Sequence, residues 1–120
     1  MKALSIRQPW AWLIVQGIKD VENRTWRTAY RGPLLIHAGK TFDKLGYAWI
    51  VDNFPHLVLP APTAFDLGGI VGQVVLVDCV REHASPWFFG EQGFVLSDAR
   101  TLPFVPCHGA LGIFEIEQPA

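Results

Sequence analysis

Residues 69–82, GIVGQVVLVDCVRE, form the longest strand candidate in the chain, and Gly72 inside it points to a bulge or a close backbone approach. GPLLIHAG (32–39) is a second apolar run, opened by a Gly-Pro turn signal. ALSIR (3–7) and GALGIFEIE (109–117) read as strands near the two ends, and Val21–Trp26 as an extended segment. GFVLSDARTLPFVP (93–106) reads as a strand followed by a proline-broken loop. Helical signals are fewer. QPWAWLIVQG (8–17) has Pro9 at a good first helical position, Gly17 just past the end, and Trp10, Leu13 and Ile14 on one face. TFDKLGYAWIVDNF (41–54) spaces Phe42, Leu45 and Trp49 like a helix, although Gly46 opposes it. About six strands and two short helices in so small a chain predict an α+β fold, a small β-barrel or curled sheet of mostly antiparallel strands. A length of 120 residues suits a single domain spanning 1–120.

Composition agrees with a folded core: 50% of residues are hydrophobic and 18% charged, which argues against disorder. No apolar run approaches the ~20 residues that span a bilayer, and the N-terminus lacks a signal-peptide layout, so the cytosol is the expected location. In that compartment Cys79 and Cys107 are expected as buried free thiols. The Pro-rich segment Pro55–Gly69 is long for a connection, and it reads either as a lid or mobile loop or as a docking site for a protein partner. SPWFFGEQG (85–93) carries exposed-looking Trp87 and Phe88 and invites the same reading.

Net charge is −1, but its distribution is uneven. Residues 1–44 hold eight of the ten Lys/Arg against three acids, and residues 45–120 the reverse balance, which suits a molecule with one basic side. The densest charge lies in GIKDVENRTW (17–26). If Val21–Trp26 is extended, Glu22, Arg24 and Trp26 share one face and Val21, Asn23 and Thr25 the other. Lys19 stands at the preceding turn. Either these charges pair among themselves, or they floor a cationic cleft. In such a cleft Lys supplies a compact charge and Arg a planar fork for phosphate, while Trp supplies a stacking face for an unpaired base. Arg7 and Trp10 follow the first strand, and Arg27 and Arg31 flank the next turn. His37, Lys40 and Ser97 are further candidates, with hydrogen-bonded structure as the plain alternative for His37 and turn capping for Ser97.

Other chemistries lack their motifs. Cys79, His83, Cys107 and His108 have no C-x-x-C spacing, and adjacent Cys107 and His108 do not suit one tetrahedral zinc site. DLGGIVGQ lacks the Lys-Ser/Thr of a phosphate loop, and no G-x-S-x-G elbow occurs. Neither a metal nor a cofactor is implied.

LSIRQPWAWLIVQGIKDVENRTWRTAYRGPLLIHAGK resembles the ASCH domain family, a branch of the PUA-like superfamily. The shared pattern is G-x-K-x-x-E-x-R, here Gly17, Lys19, Glu22 and Arg24, with QPWA before it, IHAGK after it and GALGIFEIE at the close. The resemblance implies a small PUA-like barrel whose cleft is lined by the motif, and a role in binding single-stranded RNA or a nucleotide. Arg7, Trp10, Lys19, Glu22, Arg24, Trp26, His37, Lys40 and Ser97 are then the expected ligand contacts. It also implies an alternative. Some relatives are hydrolases acting on RNA or on N4-acetylcytidine without metal, the latter with a Lys and a Thr three residues on. Lys19 matches that Lys, but Glu22 stands in place of the Thr, so a catalytic pair here would be Lys19 and Glu22 doing different chemistry. A protein-interaction module working through Pro55–Gly69 or Trp87–Phe88 is the third reading.

Overall fold

The strand candidates join into one sheet in a computed structural model that describes residues 1–117; the last three positions of the expected 1–120 domain lie outside them. Along the chain come β1 (Lys2–Gln8), α1 (Trp10–Val15), β2 (Val21–Arg24), β3 (Gly32–Phe42), α2 (Lys44–Asn53), β4 (Gly69–Val80), β5 (Gln92–Pro106) and β6 (Ile113–Glu115). The hydrogen-bonded order is β2-β5-β4-β3-β1-β6. Every pairing is antiparallel except β1 with β3.

This sheet curls until its two ends nearly meet. In a flat sheet β2 and β1, four places apart, would lie about 19 Å from each other at the usual interstrand spacing. Instead the Arg24 guanidinium on β2 donates to the Ser5 carbonyl on β1 at 2.9 Å. The result is an open barrel with a seam between β1 and β2. Pairing of β6 with β1 stops at Leu4, so the β1 edge from Ser5 onward faces that seam.

Bulges supply the curvature. Gly72 sits at one of them, where β4 shifts register against both β3 and β5. A Cβ there would stand 2.4 Å from Val15 Cγ1 and 2.5 Å from the Arg100 carbonyl, so the expected close approach is met by α1 on one side and β5 on the other. The proline-broken loop expected after Leu96 does not form: β5 continues through Pro103 to Pro106. Pro103 is tolerated because it lies in a bulge opposite Val71, where no ladder donor is required. Phe42 also departs from expectation. It ends β3, pairing with Gln8, and the helix begins only after Asp43, whose carboxylate accepts from the Gly46 amide.

The barrel interior is filled by Leu4, Ile6, Leu34, Ile36, Val74, Leu76, Phe94 and Leu96, with Ala11, Ile14 and Val15 of α1 packed among them. The opposite side of α1 sends Leu13 into a second cluster with Val21, Ile50 and Trp87. That short helix is therefore apolar all round because it is covered on both sides. Pro55–Gly69 packs down rather than closing over the seam: Phe65 is buried against Trp12, Phe42 and Tyr47, and Tyr47 Oη donates to the Pro60 carbonyl. Cys79 is buried, whereas Cys107 is only partly so, and both are free thiols. Among the described residues, no helix is long and apolar enough to cross a membrane, and no cluster of metal-ligating side chains occurs.

Candidate functional site

The seam opens into a cleft of about 560 Å³. One wall is the free edge of β1, Ser5–Arg7. The other is β2 and its continuation, Glu22–Trp26. Trp10 and Lys19 lie at its inner end, and Trp87 and Phe89 come from the loop between β4 and β5.

The charged residues of this cleft form a connected network. Lys19 Nζ donates to Glu22 Oε1 at 3.0 Å and to the Val21 carbonyl at 2.6 Å. Arg24 holds the other carboxylate oxygen through Nε at 3.1 Å and Nη2 at 3.0 Å. Lys19 is 4% exposed and Glu22 8%. Burial of ions at this level requires such mutual pairing, since an unpaired buried charge costs several kcal/mol. The two sequence readings of GIKDVENRTW thus coincide: the charges pair among themselves, and they also line a cleft.

The lining carries Arg7, Lys19 and Arg24 against Glu22 alone, so its formal charge is +2. Arg7 is exposed and forms no ion pair among the described residues. Arg24 is partly exposed, bent toward Glu22 and Ser5.

Trp10 is fixed by its own partners. Its Nε1 donates to Asp43 Oδ2 at 2.9 Å, its ring lies 6.3 Å from that of Trp49, and Lys19 Nζ stands 5.8 Å from its centroid. Burial pushes the Asp43 carboxyl up. The hydrogen bonds from Trp10 and from the Gly46 amide, with Arg7 nearby, outweigh that and hold its pKa below the ordinary aspartate value. Trp26 lies just past β2 and meets Phe94 edge-on at 5.1 Å, so one part of it packs on the core and another faces the cleft.

Three expected contacts lie elsewhere. His37 is 2% exposed and spans two elements of structure. Its Nε2 donates to the Cys107 carbonyl at 2.7 Å, which leaves Nδ1 to accept from Ser5 Oγ at 3.0 Å. Lys40 lies two residues before the end of β3, with its side chain against Gly68. Ser97 donates to Asp98 Oδ2 at 3.1 Å beside a bulge where Asp98 adopts φ +50°, and it borders a separate cavity of about 110 Å³. Trp87, expected at the surface, is 4% exposed and stacks on Phe54 at 4.1 Å. In the same loop, two residues on, Phe89 is open to solvent, at 54%.

Sequence reasoning missed Asn23. Its Nδ2 donates to the Trp87 carbonyl at 2.9 Å, and its Oδ1 accepts from the Phe89 amide at 2.8 Å. Alternation on β2 placed it opposite Glu22 and Arg24, but nothing local marks a partner 64 residues away.

The profile of the ASCH domain family matches residues 4–103. Activating signal cointegrator 1 of Homo sapiens is 35% identical over 106 residues, which cover 85% of this chain and 18% of that protein. The Mus musculus protein of the same name is 37% identical over 83 residues, 66% of this chain and 14% of that one. This chain thus spans under a fifth of the length of the curated relatives it matches. Among solved structures, a mutant ZmASCH protein from Zymomonas mobilis superposes with a TM-score of 0.51 at 16% identity, covering 88% of this chain and 74% of that one, and so shares the fold. The chain belongs to the ASCH domain family.

Proposed function

We propose that the seam cleft binds an unpaired segment of RNA, or a single nucleotide, with Arg7 and Arg24 on phosphate and the aromatic lining against a base. The observation that carries this reading is the lining itself: three cations against one carboxylate, with Trp10, Trp26 and Phe89 beside them. A cationic groove with π faces is the arrangement that suits single strands, because only unpaired bases expose their faces. Membership of the ASCH family supports it too.

Catalysis has less to stand on. Lys19 spends two of its N–H donors on Val21 and Glu22, and both Glu22 oxygens are held. With most of their hydrogen-bonding capacity spent on each other and on the protein, these two groups favour binding over hydrolysis of RNA or of a modified nucleoside.

The test is fluorescence anisotropy with a labelled single-stranded decauridylate over a range of salt. Affinity is expected to fall as salt rises, with a log–log slope of about −0.7 per phosphate contacted, and a duplex of equal length is expected to bind more weakly. An Arg7→Ala, Arg24→Ala protein that binds as tightly as wild type at low salt refutes the reading.

A further inference from the structure

We infer that Phe89 is a preformed stacking platform for an unpaired base, and that Asn23 is the residue that positions it. The inference rests on the RNA-binding reading above and names the part of the cleft that would take the base.

Phe89 lies in the loop between β4 and β5, on the cleft wall, and is 54% exposed. An aromatic ring that open is ordinarily free to move with its loop. Here the loop leading into it is held by hydrogen bonds and by core packing. The Asn23 carboxamide spans the backbone on both sides of Phe88, accepting from the Phe89 amide at 2.8 Å and donating to the Trp87 carbonyl at 2.9 Å. Upstream, Ser85 Oγ donates to Asp20 Oδ1 at 2.6 Å. Trp87 anchors the same loop in the second core cluster. The Phe89 ring itself meets Trp49 in a T-shaped arrangement at 5.6 Å, and the residue stays 54% exposed.

Fixing an exposed apolar ring costs conformational freedom and gains little in the unliganded protein. The same fixation favours a ligand that needs the ring in place, since the ordering is already complete before binding. The occupant that fits is a base. The adjoining lining has a formal charge of +2, which complements the phosphates that a nucleotide brings with it. Asn23 lies on β2, the strand that also carries Glu22 and Arg24, so one strand would set both the cationic and the aromatic wall.

The test compares a labelled single-stranded decauridylate with an abasic strand of the same length. Phe89→Ala is expected to weaken decauridylate binding about 10-fold and to leave abasic binding unchanged, the size of effect that loss of one base–aromatic contact gives. Phe89→Leu keeps the apolar bulk without the π face and is expected to behave like Phe89→Ala. Asn23→Ala is expected to match Phe89→Ala, and the double variant to lose no more than either alone, because both changes remove one and the same contact. Circular dichroism checks that each variant is folded, with Phe89→Leu as the least disruptive. Decauridylate binding unaffected in Phe89→Leu, or equal loss on both strands, overturns the platform while leaving the cationic cleft intact. Multiplying losses in the double variant overturn the positioning role of Asn23. A wild-type protein that binds neither strand refutes the RNA reading and this inference with it.

Discussion

Gly46→Ala separates the geometry described here from helix propensity. Gly46 lies in the first turn of α2, where Ala is favoured over Gly by about 1 kcal/mol, so propensity alone expects a more stable protein. At Gly46, however, a Cβ would stand 2.5 Å from Asp43 Oδ2, 2.7 Å from Trp10 Cζ2 and 2.8 Å from Asp43 Cγ. Those atoms are not free ends. Asp43 accepts hydrogen bonds from both Trp10 and the Gly46 amide, and Trp10 packs against both core clusters. Overpacking of this kind costs about 1–3 kcal/mol. Loss of the hydrogen bond between Trp10 and the Asp43 carboxylate adds about 1.5–3 kcal/mol if the clash breaks it. Set against the propensity gain, the net is a loss of about 1 kcal/mol from overpacking alone and about 3 kcal/mol with the hydrogen bond broken, which at about 4 °C per kcal/mol lowers the melting temperature by roughly 4 to 12 °C. Urea denaturation followed by tryptophan fluorescence, alongside a thermal melt, measures it. A Gly46→Ala protein more stable than wild type refutes the claim that Gly46 exists to admit the Trp10–Asp43 pair.

Three further outcomes follow from the same contacts. Lys19→Met leaves Glu22 buried with Arg24 as its remaining cation, and urea denaturation is expected to show a loss of about 3 kcal/mol; an unchanged midpoint means the network is not buried as described. Asp43 has its pKa lowered in the folded state, so its contribution to stability is complete above the unfolded value near 3.8 and is lost as pH falls through the lower folded value. Thermal melts of wild type and Asp43→Asn are accordingly expected to differ at neutral pH and to converge in acid, and a pH-independent difference contradicts this. Arg7→Ala is expected to cost no more than about 0.5 kcal/mol of stability, its charge being only the smallest of the influences on Asp43, and to reduce the salt slope of single-strand RNA binding by about 0.7, one phosphate contact.

The parts of this fold legible in the sequence are those set by neighbours along the chain. Gly17, past the end of α1, takes the φ of +77° that glycine permits, and Gly72 marks a close approach as its place within a strand suggested. Features decided by distant partners were not legible. Pro103 looks like a strand breaker until Val71 opposite it makes a bulge. Phe42 has helical spacing, yet its backbone is claimed by Gln8 of β1. Gly46 looks unfavourable until Trp10, far back in the chain, arrives against it. The site divides in the same way. Lys19, Glu22, Arg24 and Trp26 are close in sequence and could be gathered from alternation and motif. Trp87 and Phe89 are neighbours in one loop, and only the packing of Phe54 on the first and the solvent beside the second tell core from cleft. His37 shows the converse: of its two readings the hydrogen-bonded one fits, because its two ring nitrogens are taken by Ser5 and the Cys107 carbonyl.

The central claim is that ligand enters the β1–β2 seam. Backbone NMR titration of the protein with a single-stranded decauridylate at low salt tests it most directly. Amides of Ile6, Arg7, Asn23–Trp26 and Phe89, all on the walls of the seam cleft, are expected to shift together and to saturate with one affinity. Shifts concentrated instead around Leu35, Ile70 and Leu102, a groove on another part of the sheet, or no shifts at all, would contradict it.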